Sequence, residues 1–488
     1  MKKLCKIIFL IFLLALKAES QPVTWQKVLD YTDNSILYKS HQTIDGGYIA
    51  IGRSIVESSG KMILVKFNKY GDTLWNKYFD LSVNSSYNGI WIEETKDKGF
   101  ILTGSGPGVS TDAYIVKTDS TGNVKWYRTF GGADLDQGRC VKQLSDNGYI
   151  LLMRTFSYSP TSDILLIKTD SLGNEMWRKL FSDSIYNEIG NEIQVIGNSG
   201  FIIAGWKQIT KKPASLYLIR LNLSGDTIWT KTYNNYSSTA AYSVDTTSDK
   251  GFIIGGIADS TTNNYPLSYL LKIDELGNLE WEKRYSSAFK EYCYSIKTLK
   301  NNRYAFCGMS DSTFFNYERA ILRVIESNGN ILIEKYFRSG LSENAFQSID
   351  LTNDQGFILC GYSKYNLTKS FIVRTDSLGN INPIGINSNF ELLKDFSIDQ
   401  NYPNPFNSQT IIRFSLNRPA IIKIELYDVT GKYITTLLNE FKTNDSYNYF
   451  FDPQKYNLSS GIYFYSSTII SKINVYSKSK TIKMIYLK

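Results

Sequence analysis

The side chains that could do chemistry recur at one position of a repeat of about 50 residues. His41 is the single histidine, and it lies six residues before Gly47. A Ser-His-Asp triad would need an acid to orient this imidazole and a nucleophile in contact with it. The equivalent positions of the other repeats carry polar side chains of several kinds: Glu93, Lys142, Gln194, Asp245, Lys297 and Asp350. A repeat position that prefers polar groups explains His41 better than a triad does, so we predict no catalytic residue.

Three acids at this position leave one catalytic alternative open. Glu93, Asp245 and Asp350 could serve an extracellular hydrolase or lyase, although no spacing singles out the facing pair that glycoside hydrolysis needs. One histidine and no close Cys-x-x-Cys pair argue against zinc. The Asp-rich turns 119–122, 170–173 and 376–379 lack the alternating oxygen ligands of calcium loops. We predict no metal and no cofactor.

A second repeat position favours binding. Nine residues before the turn residue of each repeat lie Tyr38, Ile90, Arg139, Asn191, Tyr242, Tyr294 and Gln347. Tyrosines can stack on a ligand at low entropic cost, and the Arg, Asn and Gln side chains can hydrogen-bond to it. We predict that the polar members of this set bind a carbohydrate, a peptide or a protein: Tyr38, Arg139, Asn191, Tyr242, Tyr294 and Gln347.

Glycine-marked turns define the repeat that must position these residues. The turn glycines are Gly71, Gly122, Gly173, Gly225, Gly277, Gly329 and Gly379. Five of them are followed four residues later by a tryptophan, whereas the sixth and seventh have Ile333 and Pro383 there. An Asp/Asn-x-Gly-aromatic turn precedes each, degenerate in the sixth copy at 301–304. Both turns are typical hairpin punctuation, and the runs between them are short and β-rich.

Four strands per repeat at this period predict the blades of a propeller. The seventh repeat lacks its outer strand, and the segment 23–30 resembles the tryptophan strand 74–80. We therefore predict an all-β chain: a seven-bladed β-propeller whose last blade is closed by the N-terminal strand. An open β-solenoid is the structural alternative. The segment 118–126 is similar to the tryptophan-bearing propeller repeats of quinoprotein dehydrogenases and outer-membrane assembly lipoproteins. The quinone-cofactor enzymes also have adjacent cysteines, which are absent from this sequence. We therefore do not carry their activity over.

Four cysteines follow the predicted signal: Cys140, Cys293, Cys307 and Cys360. Export permits disulfides. Buried free thiols and a Cys293–Cys307 bridge, which would flank one hairpin, are the two possibilities.

The N-terminal residues have the pattern of a secretory signal. Three lysines precede an apolar run from Ile7 to Leu16, and Ala18-Glu19-Ser20 is a small-x-small cleavage site before Gln21. The apolar run is too short to span a bilayer, and no other stretch is longer. We predict cleavage between Ser20 and Gln21 and no transmembrane segment in the mature chain.

The last 90 or so residues break the repeat, and alternating strands separated by turns predict a small immunoglobulin-like β-sandwich. Four motifs occur in order, carried by Asn401, Pro403, Asn404, Pro405 and Phe406, by Tyr427, Asp428, Gly431 and Lys432, by Gly461 and Tyr463, and by Lys483. They resemble the C-terminal sorting domain of the type IX secretion system of Bacteroidetes and related bacteria. That resemblance implies the secretion machinery as a partner, a sortase-like processing step, and a protein that is secreted or attached to the outer-membrane surface.

Charge excludes some partners. The whole chain carries +8, but the repeat region is nearly neutral, so it offers no electrostatic footprint for nucleic acid or anionic membrane. We predict a signal peptide at 1–20, a propeller at 21–387, a linker at 388–398 and a sorting domain at 399–488. The leading functional hypothesis is a non-enzymatic recognition module; the alternatives are the hydrolase or lyase and a structural or adhesive surface protein.

Overall fold

The computed structural model describes residues 22–29, 34–56, 59–79, 88–107, 111–259, 265–285, 290–311, 318–339, 343–364, 366–381, 396–416, 420–429, 432–470 and 477–488. The predicted cleavage site at Ser20 and Gln21 lies outside these residues, as do Pro383 and Gly431. The chain divides into two compact units, Met1–Ile384 and Gly385–Lys488. Strands dominate both units, and no helix in the described ranges is long and apolar enough to cross a membrane.

The first unit consists of four-stranded antiparallel sheets in a propeller-like arrangement. Their strands are β2 Ser35–Gln42, β3 Tyr48–Val56, β4 Ser59–Phe67 and β5 Thr73–Phe79; β6 Asn88–Glu94, β7 Phe100–Pro107, β8 Thr111–Thr118 and β9 Val124–Phe130; β10 Asp136–Gln143, β11 Tyr149–Thr155, β12 Asp163–Thr169 and β13 Glu175–Phe181; β14 Tyr186–Val195, β15 Phe201–Ile209, β16 Ser215–Leu221 and β17 Thr227–Tyr233; β18 Thr239–Thr246, β19 Phe252–Asp259, β20 Pro266–Ile273 and β21 Leu279–Tyr285; β22 Glu291–Thr298, β23 Tyr304–Ser310, β24 Arg319–Ile325 and β25 Ile331–Phe337; and β26 Glu343–Leu351, β27 Phe357–Lys364, β28 Thr368–Thr375 and β1 Trp25–Leu29. One short 3-10 helix, Lys300–Asn302, interrupts the sixth set.

Burial along the strands follows their place in the sheet. The second and third strands of each sheet are nearly continuous apolar runs and are buried on both faces. The fourth strand alternates between exposed and half-buried residues, as an edge strand with one covered face does. The first strand of each sheet contacts the first strands of the neighbouring sheets, from β2 to β26, and β26 contacts β2. The first strands of successive sheets therefore lie next to one another.

The N-terminal strand belongs to the sheet formed by the last repeat. β1 pairs antiparallel with β28, in a register that sets Trp25 opposite Arg374. Its residues Trp25 and Leu29 are buried with Tyr48 and Phe67 of the first repeat. The strand thus joins residues from the two ends of the first unit.

Each outer-strand tryptophan packs on the turn glycine of the next repeat. A Cβ built on Gly122 would lie 2.7 Å from the Trp75 ring, and Gly122 also has a φ of +78°, so a larger residue would be strained twice. The same contact joins Trp25 to Gly71, Trp126 to Gly173, Trp177 to Gly225, Trp229 to Gly277 and Trp281 to Gly329. At the interface between the sixth and seventh sheets, Ile333 replaces the tryptophan beside Gly379. The repeated Gly and Trp therefore mark one inter-sheet contact.

A basic side chain stands opposite the tryptophan and binds the carboxylate of the Asp-x-Gly turn. Lys66 donates to Asp45, and the same pair recurs as Lys117–Asp97, Lys168–Asp146, Lys272–Asp249 and Arg374–Asp354. In the fourth repeat the turn has Asn198, and Arg220 donates to backbone carbonyls. In the sixth repeat the turn has no acid, Val324 replaces the basic residue and Ile333 replaces the tryptophan. Turn acid, base and tryptophan are absent there together.

These turn carboxylates predict acid-dependent loss of stability. Partial burial works in the opposite direction, but hydrogen bonds from Lys117 and Thr95 hold the pKa of Asp97 well below its usual value, and Asp45, Asp249 and Asp354 share the pattern. A depressed native pKa stabilises the fold above the unfolded pKa of roughly 4, and this stabilisation is lost as pH falls through the native value. We expect the denaturant concentration at the midpoint of unfolding to fall steadily as the pH is lowered from about 4. Asp97→Asn should flatten that dependence, and an unchanged slope would contradict the assignment.

The cysteines are free thiols. Cys140, Cys293, Cys307 and Cys360 are all buried, and no Cys293–Cys307 bridge is formed. Burial raises the pKa of Cys360 to about 11 and that of Cys140 to about 12. Their role in this structure is packing.

The second unit has two antiparallel sheets around its own core. One has the strand order β29-β30-β33 and the other β32-β31-β34-β35, and a 3-10 helix, Pro453–Tyr456, follows β33. The bounds are β29 Phe396–Ile398, β30 Thr410–Leu416, β31 Ala420–Asp428, β32 Tyr433–Lys442, β33 Ser446–Phe451, β34 Gly461–Ile470 and β35 Ser477–Tyr486. Phe406, Phe451 and Tyr486 pack ring against ring in this core.

Candidate ligand-binding site

One β-bulge interrupts the first strand of every sheet in the first unit. In β2 the pairing with β3 steps from Leu37 to Lys39 and leaves Tyr38 without a partner. The bulged residues of the seven strands are Tyr38, Ile90, Arg139, Asn191, Tyr242, Tyr294 and Gln347. They are the seven residues that the sequence aligned nine positions before the turn. A bulge re-aims a side chain, so it explains how these residues can share a surface with the polar position three residues later.

All seven bulged residues line one cavity of about 270 Å³, called the bulge cavity below. The sequence-predicted set is thus brought together completely, although its contact with a ligand stays a prediction. The cavity is completed by residues that directly follow the bulges: Lys39, Trp91, Glu192, Ser295 and Ser348. Sequence reasoning missed these five, because strict alternation places them on the opposite face from their bulged neighbours. The available signal was the charged or aromatic character of Lys39, Trp91 and Glu192, each directly after an aligned position.

An oriented arginine lies on one side of the bulge cavity. Arg139 Nη2 donates to Asn191 Oδ1 at 2.6 Å, and Asn191 Nδ2 donates to the Ala241 carbonyl at 2.7 Å. Arg139 Nε is buried without a hydrogen-bond partner among the described residues. Burial, together with the nearby charge of Arg154, lowers the pKa of Arg139. The guanidinium forms no ion pair with any described carboxylate, so a bound anion would improve its environment.

Tyrosines also line the bulge cavity. The Tyr242 and Tyr294 ring centroids are 5.7 Å apart, and Tyr292, which the sequence did not single out, stacks on Tyr294 at 5.4 Å. Burial raises the pKa of Tyr242 to about 12, so its hydroxyl is a neutral donor at physiological pH. The Tyr38 and Tyr242 hydroxyls and the Gln347 amide have no hydrogen-bond partner among the described residues. These groups are available to a ligand.

Lys39 and Trp91 form the floor. Lys39 Nζ lies 4.1 Å from the centroid of the Trp91 ring, and Lys142 Nζ lies 4.9 Å from it. Burial lowers the pKa of Lys39, and the positive charge of Lys297 adds to this effect. Trp91 is 7% exposed, and its Nε1 has no hydrogen-bond partner within the described ranges. The Lys39 ammonium has no ion-pair partner among the described residues, and the Trp91 indole N–H has no hydrogen-bond partner there. Both residues line the cavity.

A second cavity of about 250 Å³, the charged cavity, shares Lys39 and Trp91 with the first. It brings together most of the polar repeat position: His41, Glu93, Lys142, Lys297 and Asp350. Burial lowers the pKa of His41 to about 4, so the imidazole is neutral, and its Nε2 has no described partner.

The acids of the charged cavity lie near lysines. Burial raises the pKa of Glu93, although Lys142 opposes the shift. Burial works against the charge of Lys297, but Asp245 and Asp350 outweigh it and raise the pKa of that lysine. These charges largely compensate one another.

The predicted sorting residues lie in the second unit. Asn401 is buried, and its Nδ2 donates to the Pro403 carbonyl and to Thr410 Oγ1. Asn404 Oδ1 accepts from the Ile485 N–H, and the Lys483 carbonyl accepts from Asn404.

Other motif positions stabilise turns and strand ends. Asp428 Oδ1 accepts from the Lys432 N–H, which caps the turn after Tyr427. Gly461 begins β34, and the Tyr463 hydroxyl donates to the Ser459 carbonyl. The motifs of this unit therefore contribute to its fold.

Comparison with known proteins identifies the second unit. Residues 400–484 match the family described as the secretion system C-terminal sorting domain. The chain is therefore an exported protein, directed to the cell surface or secreted, and its sorting domain implies interaction with the type IX secretion machinery. No curated protein matches the chain in sequence.

Solved structures similar to this chain have diverse descriptions. Puromycin hydrolase is 10% identical with a TM-score of 0.48, and the alignment covers 79% of this chain and 59% of that one. Sqt1 of Chaetomium thermophilum is 8% identical with a TM-score of 0.44, covering 79% and 94%. A copper-bound fungal alcohol oxidase of the AA5 family is 9% identical with a TM-score of 0.43, covering 94% and 98%. No activity is transferred from similarities at this level.

Proposed function

We propose that the first unit is a closed seven-bladed β-propeller that recognises a glycan outside the cell, and that the second is an immunoglobulin-like sorting sandwich. Support for closure comes from the continuous contacts of the first strands from β2 to β26 and back to β2, and from the pairing of β1 with β28. The proposed limits are a signal peptide at 1–20, a propeller at 21–387, a linker at 388–398 and a sorting domain at 399–488. A sortase-like step acts on the sorting domain after export.

The observation that carries the proposed function is the convergence of seven bulged residues on one cavity. Stability of the fold alone would not require every first strand to leave one residue out of the strand pairing and to place its side chain in the same cavity. The cavity offers ring faces, uncommitted hydroxyls and an amide, the groups that recognise a polyhydroxylated sugar ring. Its volume of about 270 Å³ suits one terminal sugar rather than a long chain segment.

The charge of the cavity favours an acidic sugar. Arg139 and Lys39 line it and have no ion-pair partner among the described residues, whereas Glu192 supplies the one carboxylate in the lining. A carboxylate bound between the two side chains would supply the ion pair that neither has among the described residues, and it could accept a hydrogen bond from the unpartnered Arg139 Nε. We therefore propose a terminal uronic acid or a similar carboxylated sugar as the ligand.

A combined glycan and peptide array with the chain from Gln21 onward tests this proposal. We expect selective binding to glycans that end in a carboxylated sugar, and weaker binding to neutral ones. Arg139→Gln should weaken binding about 10- to 100-fold, because a charge-assisted hydrogen bond contributes about 1.5–3 kcal/mol and each 1.4 kcal/mol is tenfold. Arg154→Gln, which changes a neighbouring arginine outside the cavity lining, is the matched control and should bind as the parent does.

Other outcomes of the same array decide between alternatives. Preference for peptides with a free C-terminal carboxylate over every glycan would replace the glycan by a peptide. A hydrolase is the second candidate, favoured by the shared cavity of Glu93 and Asp350 and by the raised pKa of Glu93. Cleavage of a bound glycan that is lost in Glu93→Gln while binding persists would establish it. Attachment or self-association without any small ligand would favour an adhesive role.

A further inference from the structure

The interface between the sixth and seventh sheets lacks the tryptophan that the other interfaces have. At the other interfaces an indole ring fills the space beside the turn glycine, and four of these rings meet the aromatic residue after the Asp-x-Gly turn. The centroid distances are 5.5 Å for Trp25–Tyr48, 6.4 Å for Trp75–Phe100, 5.8 Å for Trp126–Tyr149 and 6.2 Å for Trp281–Tyr304. The walls of this space are thus a glycine and an aromatic ring from the next repeat.

At the sixth interface both walls remain but the indole is missing. Phe357 is the aromatic residue and Gly379 the glycine, whereas Ile333 stands in the tryptophan position. A Cβ on Gly379 would lie 3.9 Å from Ile333 Cγ2, whereas at the other interfaces the indole ring would lie 2.5 to 3.2 Å from the glycine Cβ. The nearest atoms at Gly379 are Lys335 Cγ at 3.0 Å and Leu322 Cδ2 at 3.1 Å. Val324 replaces the lysine or arginine that stands opposite the tryptophan in the other sheets. Shorter side chains have replaced two long ones at the same place.

A cavity of about 560 Å³, which we call the Ile333 pocket, lies against Ile333, Val324 and Phe357, and it reaches the Gly379 turn at Ser377 and Leu378 rather than at the glycine itself. Its apolar lining comes from Leu299, Val324, Leu332, Ile333, Phe357 and Leu378. It is about twice the volume of the bulge cavity. Pockets that combine an apolar lining with a few polar groups at the rim are typical of small-molecule binding sites. Leu322 and Lys335 fill the space directly beside Gly379, and Leu299 and Ile333 pack against the core, but a cavity remains between Ile333 and Phe357.

The rim of the Ile333 pocket is basic. Lys300 and Arg303, from the degenerate sixth turn, line it together with Thr352, Asn353 and Gln355, and no acidic residue is part of the lining. In the intact repeats this turn carries an aspartate bound to the basic residue of the third strand. The loss of that aspartate therefore leaves positive charge beside an apolar pocket.

We propose that the Ile333 pocket is a second ligand-binding site, for a small aromatic acid with an indole-sized ring. The ring occupies the space that tryptophan fills at the other interfaces, and the acid group faces Lys300 and Arg303. The site lies between two sheets, away from the central cavities, and does not depend on the proposed glycan recognition.

Titration of the chain from Gln21 onward with indole-3-acetate tests the site. We expect saturable binding of one equivalent and a ligand-dependent rise in Tm. Ile333→Trp should abolish binding, because the new side chain occupies the pocket, and should itself raise Tm. Ile333→Phe, a smaller change, should reduce binding at least tenfold. Absence of saturable binding, or binding retained in Ile333→Trp, would overturn the proposal.

Two further measurements separate the ring from the charge. Trp281→Ile should create a second pocket at the preceding interface and raise the stoichiometry for indole from one to two; an unchanged stoichiometry would show that the missing ring does not define the site. Uncharged indole should bind more weakly than indole-3-acetate in the parent chain and equally well in Lys300→Gln/Arg303→Gln. Equal affinity in the parent would refute the role of the basic rim.

Discussion

Arg323→Met is expected to lower the free energy of unfolding by about 3–5 kcal/mol, the cost of leaving one member of a buried ion pair without its partner. Arg323 and Glu291 are almost fully buried, and Arg323 Nη2 donates to Glu291 Oε2 at 3.0 Å while Nη1 donates to Oε1. Arg323 Nε also donates to Glu334 at 2.6 Å. Burial already raises the pKa of Glu291, and Arg323 opposes that rise. Denaturant unfolding at neutral pH measures the effect.

Two variants control this prediction. Lys364→Met removes an exposed pair with Glu343 and should cost less than about 1 kcal/mol. Arg323→Met/Glu291→Leu removes both buried charges and should recover most of the stability. A double variant as unstable as the single one would show that packing around Arg323, rather than the uncompensated carboxylate, causes the loss.

Trp25→Ala is expected to cost about 3–5 kcal/mol, as truncation of a buried aromatic side chain does. Trp25 is 7% exposed, meets Tyr48 edge-on at 5.5 Å, and donates its indole N–H to the Lys69 carbonyl at 3.2 Å. It belongs to β1, the strand that pairs with β28. Loss of this side chain should therefore also loosen the junction between the first and last sheets. Hydrogen exchange of the β28 amides measures that local effect.

Trp126→Ala is the matched comparison, because it removes the equivalent, half-buried indole from an interface in the middle of the chain. It should destabilise the protein less and leave the exchange of β28 unchanged. A Trp25→Ala variant that keeps both its stability and its β28 protection would argue against a ring closed by the N-terminal strand.

Sequence patterns predicted the strands because the turn chemistry repeats. Glycine at positive φ and aspartate caps fix hairpins locally, so 50-residue spacing translates directly into four-stranded sheets. The bulges could not be predicted, because period-two alternation has no signal for an extra residue. Tyr38 and His41 were identified separately from aligned positions, and only the ladder register explains why both can face the centre.

Long-range partners were also beyond the sequence. Lys66 and Asp45 are 21 residues apart, and their pairing depends on the twist that brings the third strand to the turn. The substitution of Ile333 for tryptophan was visible in the repeat, but the volume it leaves depends on how Phe357, Leu378 and Val324 settle around it. Arg323 replaces an apolar residue of the other repeats, so the repeat gives no indication of its pairing with Glu291.

The bulges separate two demands that usually compete within one strand. A residue in the ladder must fit its partner strand, whereas a bulged residue is released from pairing and contributes only its side chain to the centre. The first unit therefore presents seven positions whose chemistry can change while the scaffold stays constant. Substitutions at Tyr38, Arg139, Asn191, Tyr242 and Tyr294 should therefore change the lining of the bulge cavity while the ladder on either side of each bulge keeps its register.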